Sequence, residues 1–172
     1  MDDDPARAGG EPLKERIAAR VLLLGPSGRL LLLRCEGGPV AEGSRRFWMT
    51  VGGGLEPGED LAAAARREVA EETGLTDVIF GPAVWYSEQI LTLNGEATLF
   101  KETYVVAHSA SEDLDDAGWT DLERQMIRAW RWWSVDEIAA TDEVIFPVGL
   151  AARLPDVVAG RYPDKPLVIA RV

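Results

Sequence analysis

Polar and apolar positions fall into runs whose period changes several times along the chain. Residues 17–24 and 30–33 are almost continuously apolar, and Gly25-Pro26-Ser27-Gly28 separates them. Unbroken apolar runs bounded by turn residues predict buried strands, here joined as a hairpin. Residues 47–51 predict a third strand, which runs into Gly52-Gly53-Gly54. Residues 84–93 and 97–107 predict a second hairpin around Asn94-Gly95, a dipeptide suited to a two-residue turn. Helical signals lie between and after these strands. Asp60 in an N-cap position, the alanines 62–65 and the stop signal Gly74 predict a helix over residues 60–73. Thr120 with Glu123, and Ser134 with Glu137, have capping-box spacing. They predict one helix to about residue 129 and another after residue 134, with a short strand at 130–133 between them. Residues 148–159 predict a last helix, which Pro155 breaks or ends, and residues 166–172 a final strand.

Strands, one central helix, more strands and then helices predict an α/β fold, a mixed sheet with helices packed against it. Residues 1–13, rich in Asp, Gly and Pro, predict a disordered or loosely attached N-terminal arm. Residues 14–172 form a single domain, since no repeat, low-complexity tract or linker divides them.

Charge narrows the function. The 172 residues carry 29 acidic and 18 basic side chains, a net charge of −11. Affinity for nucleic acid and for anionic membranes comes largely from Lys and Arg. The balance therefore argues against long nucleic acid and against a membrane as partners. A small polyanion remains open if metal ions supply positive charge. The one cysteine, Cys35, ends an apolar run and excludes an internal disulfide. No hydrophobic leader is visible, and the default location is the cytoplasm.

The predicted central helix carries an unusual set of acids. Glu68, Glu71 and Glu72 stand at i, i+3 and i+4, on one helical face. Like charges at that spacing repel, and a hard divalent cation with a preference for oxygen would relieve them. A solvated acidic face is the competing explanation for the helix taken alone.

The wider spacing separates the two. Gly53, five residues, Glu59, seven residues, Arg67-Glu68-Val69, one residue, Glu71-Glu72, one residue and Gly74-Leu75 resembles the Nudix box of the Nudix hydrolases, with every specified position filled. The resemblance covers 23 of the 172 residues. It implies the Nudix fold, an α/β/α sandwich with a mixed β-sheet and the box helix over the active site. It also implies cleavage of a nucleoside diphosphate linked to another group X, with Mg²⁺ as cofactor and Mn²⁺ as a substitute. The implied metal ligands are Glu68, Glu71, Glu72 and the carbonyl of Gly52. Arg67 would orient the box carboxylates, with Glu59 its candidate partner. In relatives a proline is usual where Val51 stands.

The water-activating base is a box glutamate in some relatives and an acid from a later loop in others. Glu112, Asp113, Asp115, Asp116 and Glu123 are the candidates here, Glu123 first among them. The catalytic set is then Glu71, Glu72, Arg67 and Glu123, although a capping box explains Glu123 equally well. Arg34, Arg45 and Arg46 are candidate substrate contacts. Trp85 is a candidate for stacking on a base, with core packing as its alternative. The substrate expected is a small (deoxy)nucleoside polyphosphate; ADP-ribose or another nucleotide sugar, dinucleoside polyphosphates, and capped or triphosphorylated RNA ends are the alternatives the resemblance implies. A homodimer stays open. Two other classes are open to such a chain: a nucleotide-sensing module without turnover, and isopentenyl diphosphate isomerisation through a reactive cysteine. The intact acid set argues against the first, and the apolar setting of Cys35 against the second.

Overall fold

The computed structural model describes residues 12–37 and 46–172. Among these residues the order is β1 (Lys14–Leu24), β2 (Leu30–Glu36), β3 (Arg46–Gly54), α1 (Leu61–Thr73), β4 (Val78–Leu93), β5 (Glu96–Ser109), α2 (Asp121–Met126), β6 (Ile127–Trp133), α3 (Val135–Ala140), β7 (Ile145–Phe146), α4 (Leu150–Val158) and β8 (Leu167–Val168). The strands form one mixed sheet in the order β6-β2-β3-β1-β5-β4-β8, with β7 paired to β3. Arg45 and nearly all of the predicted N-terminal arm lie outside the described residues. No helix among the described residues is long and apolar enough to cross a membrane.

Alternation along β1 explains the layers. Ala19, Val21 and Leu23 meet Val51, Ala64, Ala65 and Val69, so one face of the sheet packs against α1. Leu22 and Leu24 join Trp48, Trp85, Tyr104, Trp133, Ile138, Leu150 and Leu154, so the other face packs against α3 and α4. Successive strand residues point to opposite faces, and here both faces are covered. That is the sandwich expected from the sequence.

Three expectations change. The first two strands touch as a hairpin only at Leu24 and Leu30. β1 then leaves β2 to lie parallel to β5 from Lys14 and Thr98 to Leu24 and His108. Its other neighbour is β3, antiparallel from Ala18 and Gly54 to Val21 and Val51. Secondly, Pro155 lies inside α4 without ending it. Helix α4 buries Leu150, Leu154 and Val157 along one stripe, and this burial outweighs the backbone bond that proline removes. Thirdly, the predicted C-terminal strand shrinks to the two residues of β8, and the chain beyond it buries Ile169 and Arg171. The second hairpin forms as expected. Asn94 and Gly95 both take positive φ, 52° and 82°, as a type I′ turn requires.

Candidate metal and active site

Helix α1 presents the acids because both its ends are fixed by local chemistry. The Asp60 carboxylate accepts from the Ala63 N–H at 2.8 Å. Gly74 closes the other end in the left-handed conformation, φ 69°, with its N–H donating to the Ala70 carbonyl. Ala64, Ala65 and Val69 turn into the core, and Glu68 and Glu72 share that buried side. The glycine turn makes room for them. Gly52 has φ +138°, and a Cβ there would lie 2.1 Å from the Ala19 carbonyl oxygen. A Cβ at Gly53 would lie 2.5 Å from Glu68 Oε1. Gly52 tolerates no side chain while β1 stays where it is, and a side chain at Gly53 would displace the Glu68 carboxylate.

Arg67 is the hub of the charge network. Its Nε and Nη2 hold the two Glu59 oxygens at 2.8 and 2.9 Å. Its Nη1 donates to Glu68 at 2.8 Å and to Glu71 at 3.2 Å, and its Nη2 to the Gly54 carbonyl at 3.0 Å. A guanidinium has five N–H donors, and all five are used. The hydrogen bond from Arg67 holds the Glu59 carboxyl down at about 2. The Glu59 partner anticipated from the sequence is therefore the one present.

Glu68, Glu71 and Glu123 each offer an oxygen, and these oxygens lie within 4.8 Å of one another. Glu123 comes from α2, more than fifty residues later in the chain. Two links carry it there. The Trp119 indole N–H donates to the Glu72 carbonyl at 2.8 Å, and the Asp115 N–H to the Thr73 carbonyl at 2.8 Å. Gly118 sits against α1 so closely that a Cβ would come 2.8 Å from the Glu71 carbonyl oxygen. The capping box at Glu123 is also real: its carboxylate accepts from the Thr120 N–H, and the Thr120 hydroxyl from the Glu123 N–H. The two explanations of Glu123 are compatible, because a carboxylate has two oxygens.

Glu72 behaves differently from the other two box acids. Its Oε2 accepts the Gly52 N–H at 2.8 Å, and it stands outside the set of converging oxygens. Burial, with Glu68 nearby, pushes the Glu72 carboxyl well above the usual range. Burial also raises Glu68, against the opposing pull of Arg67. The Gly52 carbonyl accepts Arg20 Nη1 at 3.2 Å. An all-oxygen set whose buried member, Glu68, is held back from ionising by burial suits a hard divalent cation such as Mg²⁺ or Mn²⁺.

The other sequence candidates are scattered. Arg34 projects from the sheet face opposite α1 and lies over Trp48, 5.9 Å from the ring centroid. Trp85 is 2% exposed and packs against Tyr104, so no ring face is free for a base. Arg46 is exposed at the start of β3. Among the loop acids, Glu112 caps the β1–β2 turn through the Ser27 N–H and hydroxyl, and Asp115 caps Ala117. Cys35 is buried, and burial pushes its thiol up to about 12; a thiol held neutral is a poor nucleophile. Sequence reasoning missed Arg20 and Trp119. Arg20 has a signal, a lone charge inside an apolar strand, whereas Trp119 has none.

Comparison with known proteins places this geometry in context. A family model for the NUDIX domain matches residues 14–154. The RNA pyrophosphohydrolase of Caulobacter vibrioides (strain NA1000 / CB15N) is 31% identical over 140 residues, 74% of this chain and 74% of that protein. The RNA pyrophosphohydrolase of Wolbachia pipientis subsp. Culex pipiens is 28% identical over 107 residues, 57% of this chain and 65% of that one. Among solved structures, a MutT NUDIX hydrolase from Burkholderia pseudomallei superimposes with a TM-score of 0.58 at 22% identity, covering 84% of this chain and 98% of that one. The MutT protein from Methanosarcina mazei Go1 gives 0.57 at 19% identity, covering 86% and 96%. At those identities the two structures speak for the fold alone.

Proposed function

The chain belongs to the Nudix hydrolase family, and from that premise we propose that it hydrolyses the pyrophosphate linkage of a (deoxy)nucleoside polyphosphate with Mg²⁺ as cofactor. The observation that carries this reading is the convergence of Glu68, Glu71 and Glu123 beside an Arg67 whose donors are all committed. Carboxylates alone would repel a polyphosphate. A bound divalent cation neutralises phosphate oxygens and acidifies a water molecule. Glu68, Glu71 and Glu123 would hold it, and Arg67 fixes the rotamers of Glu68 and Glu71. Glu72 braces the glycine turn from beneath, through the Gly52 N–H. The retention of every box acid favours turnover over a sensing role.

A second reading is favoured by the names of the relatives. Proteins about 30% identical to this chain are RNA pyrophosphohydrolases, which makes the 5′-polyphosphate end of an RNA a substrate of the same chemistry. The net charge of −11 opposes grip on a long RNA but leaves its terminal nucleotides accessible.

One panel tests both. Nucleoside triphosphates, ADP-ribose, nucleotide sugars and 5′-triphosphorylated oligoribonucleotides are each incubated with Mg²⁺ and with Mn²⁺, and phosphorus-containing products are identified. Metal-dependent cleavage of nucleoside triphosphates is expected. Cleavage confined to the oligoribonucleotide selects the second reading, and no cleavage of any substrate overturns both.

A further inference from the structure

On the sheet face away from α1, two arginines converge on one buried carboxylate. Arg20 Nε donates to Glu102 Oε1 at 2.8 Å, and Arg171 Nε lies 3.1 Å from Glu102 Oε2. The side chains are 11%, 4% and 0% exposed for Arg20, Arg171 and Glu102. Two guanidiniums for one carboxylate leave an excess positive charge in the interior, which is costly unless it serves something else. Arg171 also lies over the Phe100 ring, 5.7 Å from its centroid, and its Nη1 is buried without a hydrogen-bond partner among the described residues. Arg20 has a second task. Its Nη1 reaches through to the Gly52 carbonyl at 3.2 Å, while the N–H of the same glycine donates to Glu72 at 2.8 Å.

Gly52 is thus held from both sides of the sheet. A cation on a residue's carbonyl and a carboxylate on its N–H leave it little freedom to rotate, and linked hydrogen bonds of this kind strengthen one another. Only glycine can sit there, so no side chain competes for the same space. From this geometry we infer that Arg20 is a positioning residue for the active site: by anchoring Gly52 it sets where Glu72 lies beneath the converging carboxylates. Glu102 orients Arg20, and Arg171 secures Glu102 without touching Gly52. The inference rests on the reading of these carboxylates as a divalent-cation site.

Two variants separate positioning from general support. Arg20→Met leaves Glu102 paired with Arg171, and Arg171→Met leaves it paired with Arg20. Each retains one cation for one buried carboxylate, and they differ in the bond to Gly52. Three quantities are measured for each: the melting temperature, hydrogen exchange of the Gly52 amide in metal-free protein, and the dissociation constant for Mn²⁺. Arg20→Met should speed Gly52 exchange by about tenfold and weaken Mn²⁺ binding by about five- to tenfold, the scale of one charge-assisted bond. Arg171→Met should lower the melting temperature and leave the other two unchanged. Equal effects of both variants on exchange and on Mn²⁺ would overturn the inference, as would tighter Mn²⁺ binding in Arg20→Met, which would mean that Arg20 competes with the ion for the carbonyl. Failure of the unaltered protein to bind Mn²⁺ would sink the cation-site reading itself, a result distinct from either.

Discussion

At the scale of single residues, the site sets charge against burial. Glu68 and Glu72 are raised by burial, so the metal-free folded chain holds protons that the unfolded chain has released. Stability of the metal-free protein therefore falls as pH rises through that window and is recovered as pH approaches 4.5. Glu59 runs the other way. Its carboxyl is lowered to about 2 by the bond from Arg67, so its contribution is present above 4.5 and lost as pH falls towards 2. Calorimetry without metal should show a stability maximum near pH 5, and saturating Mg²⁺ should flatten its alkaline side, because ligands must be ionised to bind. A metal-free melting temperature that climbs steadily from pH 5 to pH 8 would contradict this. Glu72→Gln keeps an acceptor for the Gly52 N–H but removes a buried charge. It should raise the metal-free melting temperature while lowering kcat by about a hundredfold or more, because a cation bound beside Glu68 would lose the buried negative charge that Glu72 adds next to it; a stability loss with normal turnover would leave Glu72 nothing but its brace on Gly52. Arg67→Lys cannot reproduce a five-bond fork. It should cost about 2–3 kcal/mol in chemical denaturation and weaken Mg²⁺ binding.

At the scale of elements, the lesson is how a loop delivers a fourth acid to a helix. The segment between β5 and α2 docks on the last turn of α1 through Trp119, Asp115 and Gly118. Gly118→Ala should push that segment away from Glu71 and so displace Glu123. The expected readout is a several-fold loss of Mn²⁺ affinity with the far-ultraviolet spectrum unchanged, and unaltered affinity would refute the docking role. Much of this level was legible in the sequence. Helix α1 announced itself by Asp60, its alanines and Gly74, and Glu123 by its capping box. Strand lengths and partners were not legible. A run such as residues 17–24 encodes burial on both faces, and that pattern is the same whether its neighbour is β2 or β5. Nor did Pro155 betray that a stripe of Leu150, Leu154 and Val157 would hold α4 together across it. Arg34 and Trp85 had the right chemistry for substrate, but strand alternation faced both away from α1, and that parity depends on register.

At the scale of the whole molecule, a bound cation should act as a fastening between α1 and α2, since Glu68 and Glu71 lie on one and Glu123 on the other. Ligand at a hundred times its dissociation constant stabilises by about 2.7 kcal/mol. For a chain of this size that is a rise of about 5–10 °C in melting temperature. Differential scanning calorimetry with and without Mg²⁺ checks it, and an unchanged transition would argue that the ion binds elsewhere.

The parallel pairing of β1 with β5 sets the timing of assembly. Eleven consecutive residues of β1 wait for partners some eighty positions downstream. A ribosome that has released only the first ninety residues has made the whole box, yet the strand at the middle of the sheet still lacks its longest neighbour. The glutamate helix therefore has a finished sequence well before it has a platform. Contacts between distant positions form slowly, so acquisition of metal affinity during synthesis should trail the emergence of β5 and of α2, which brings Glu123, rather than that of residue 75.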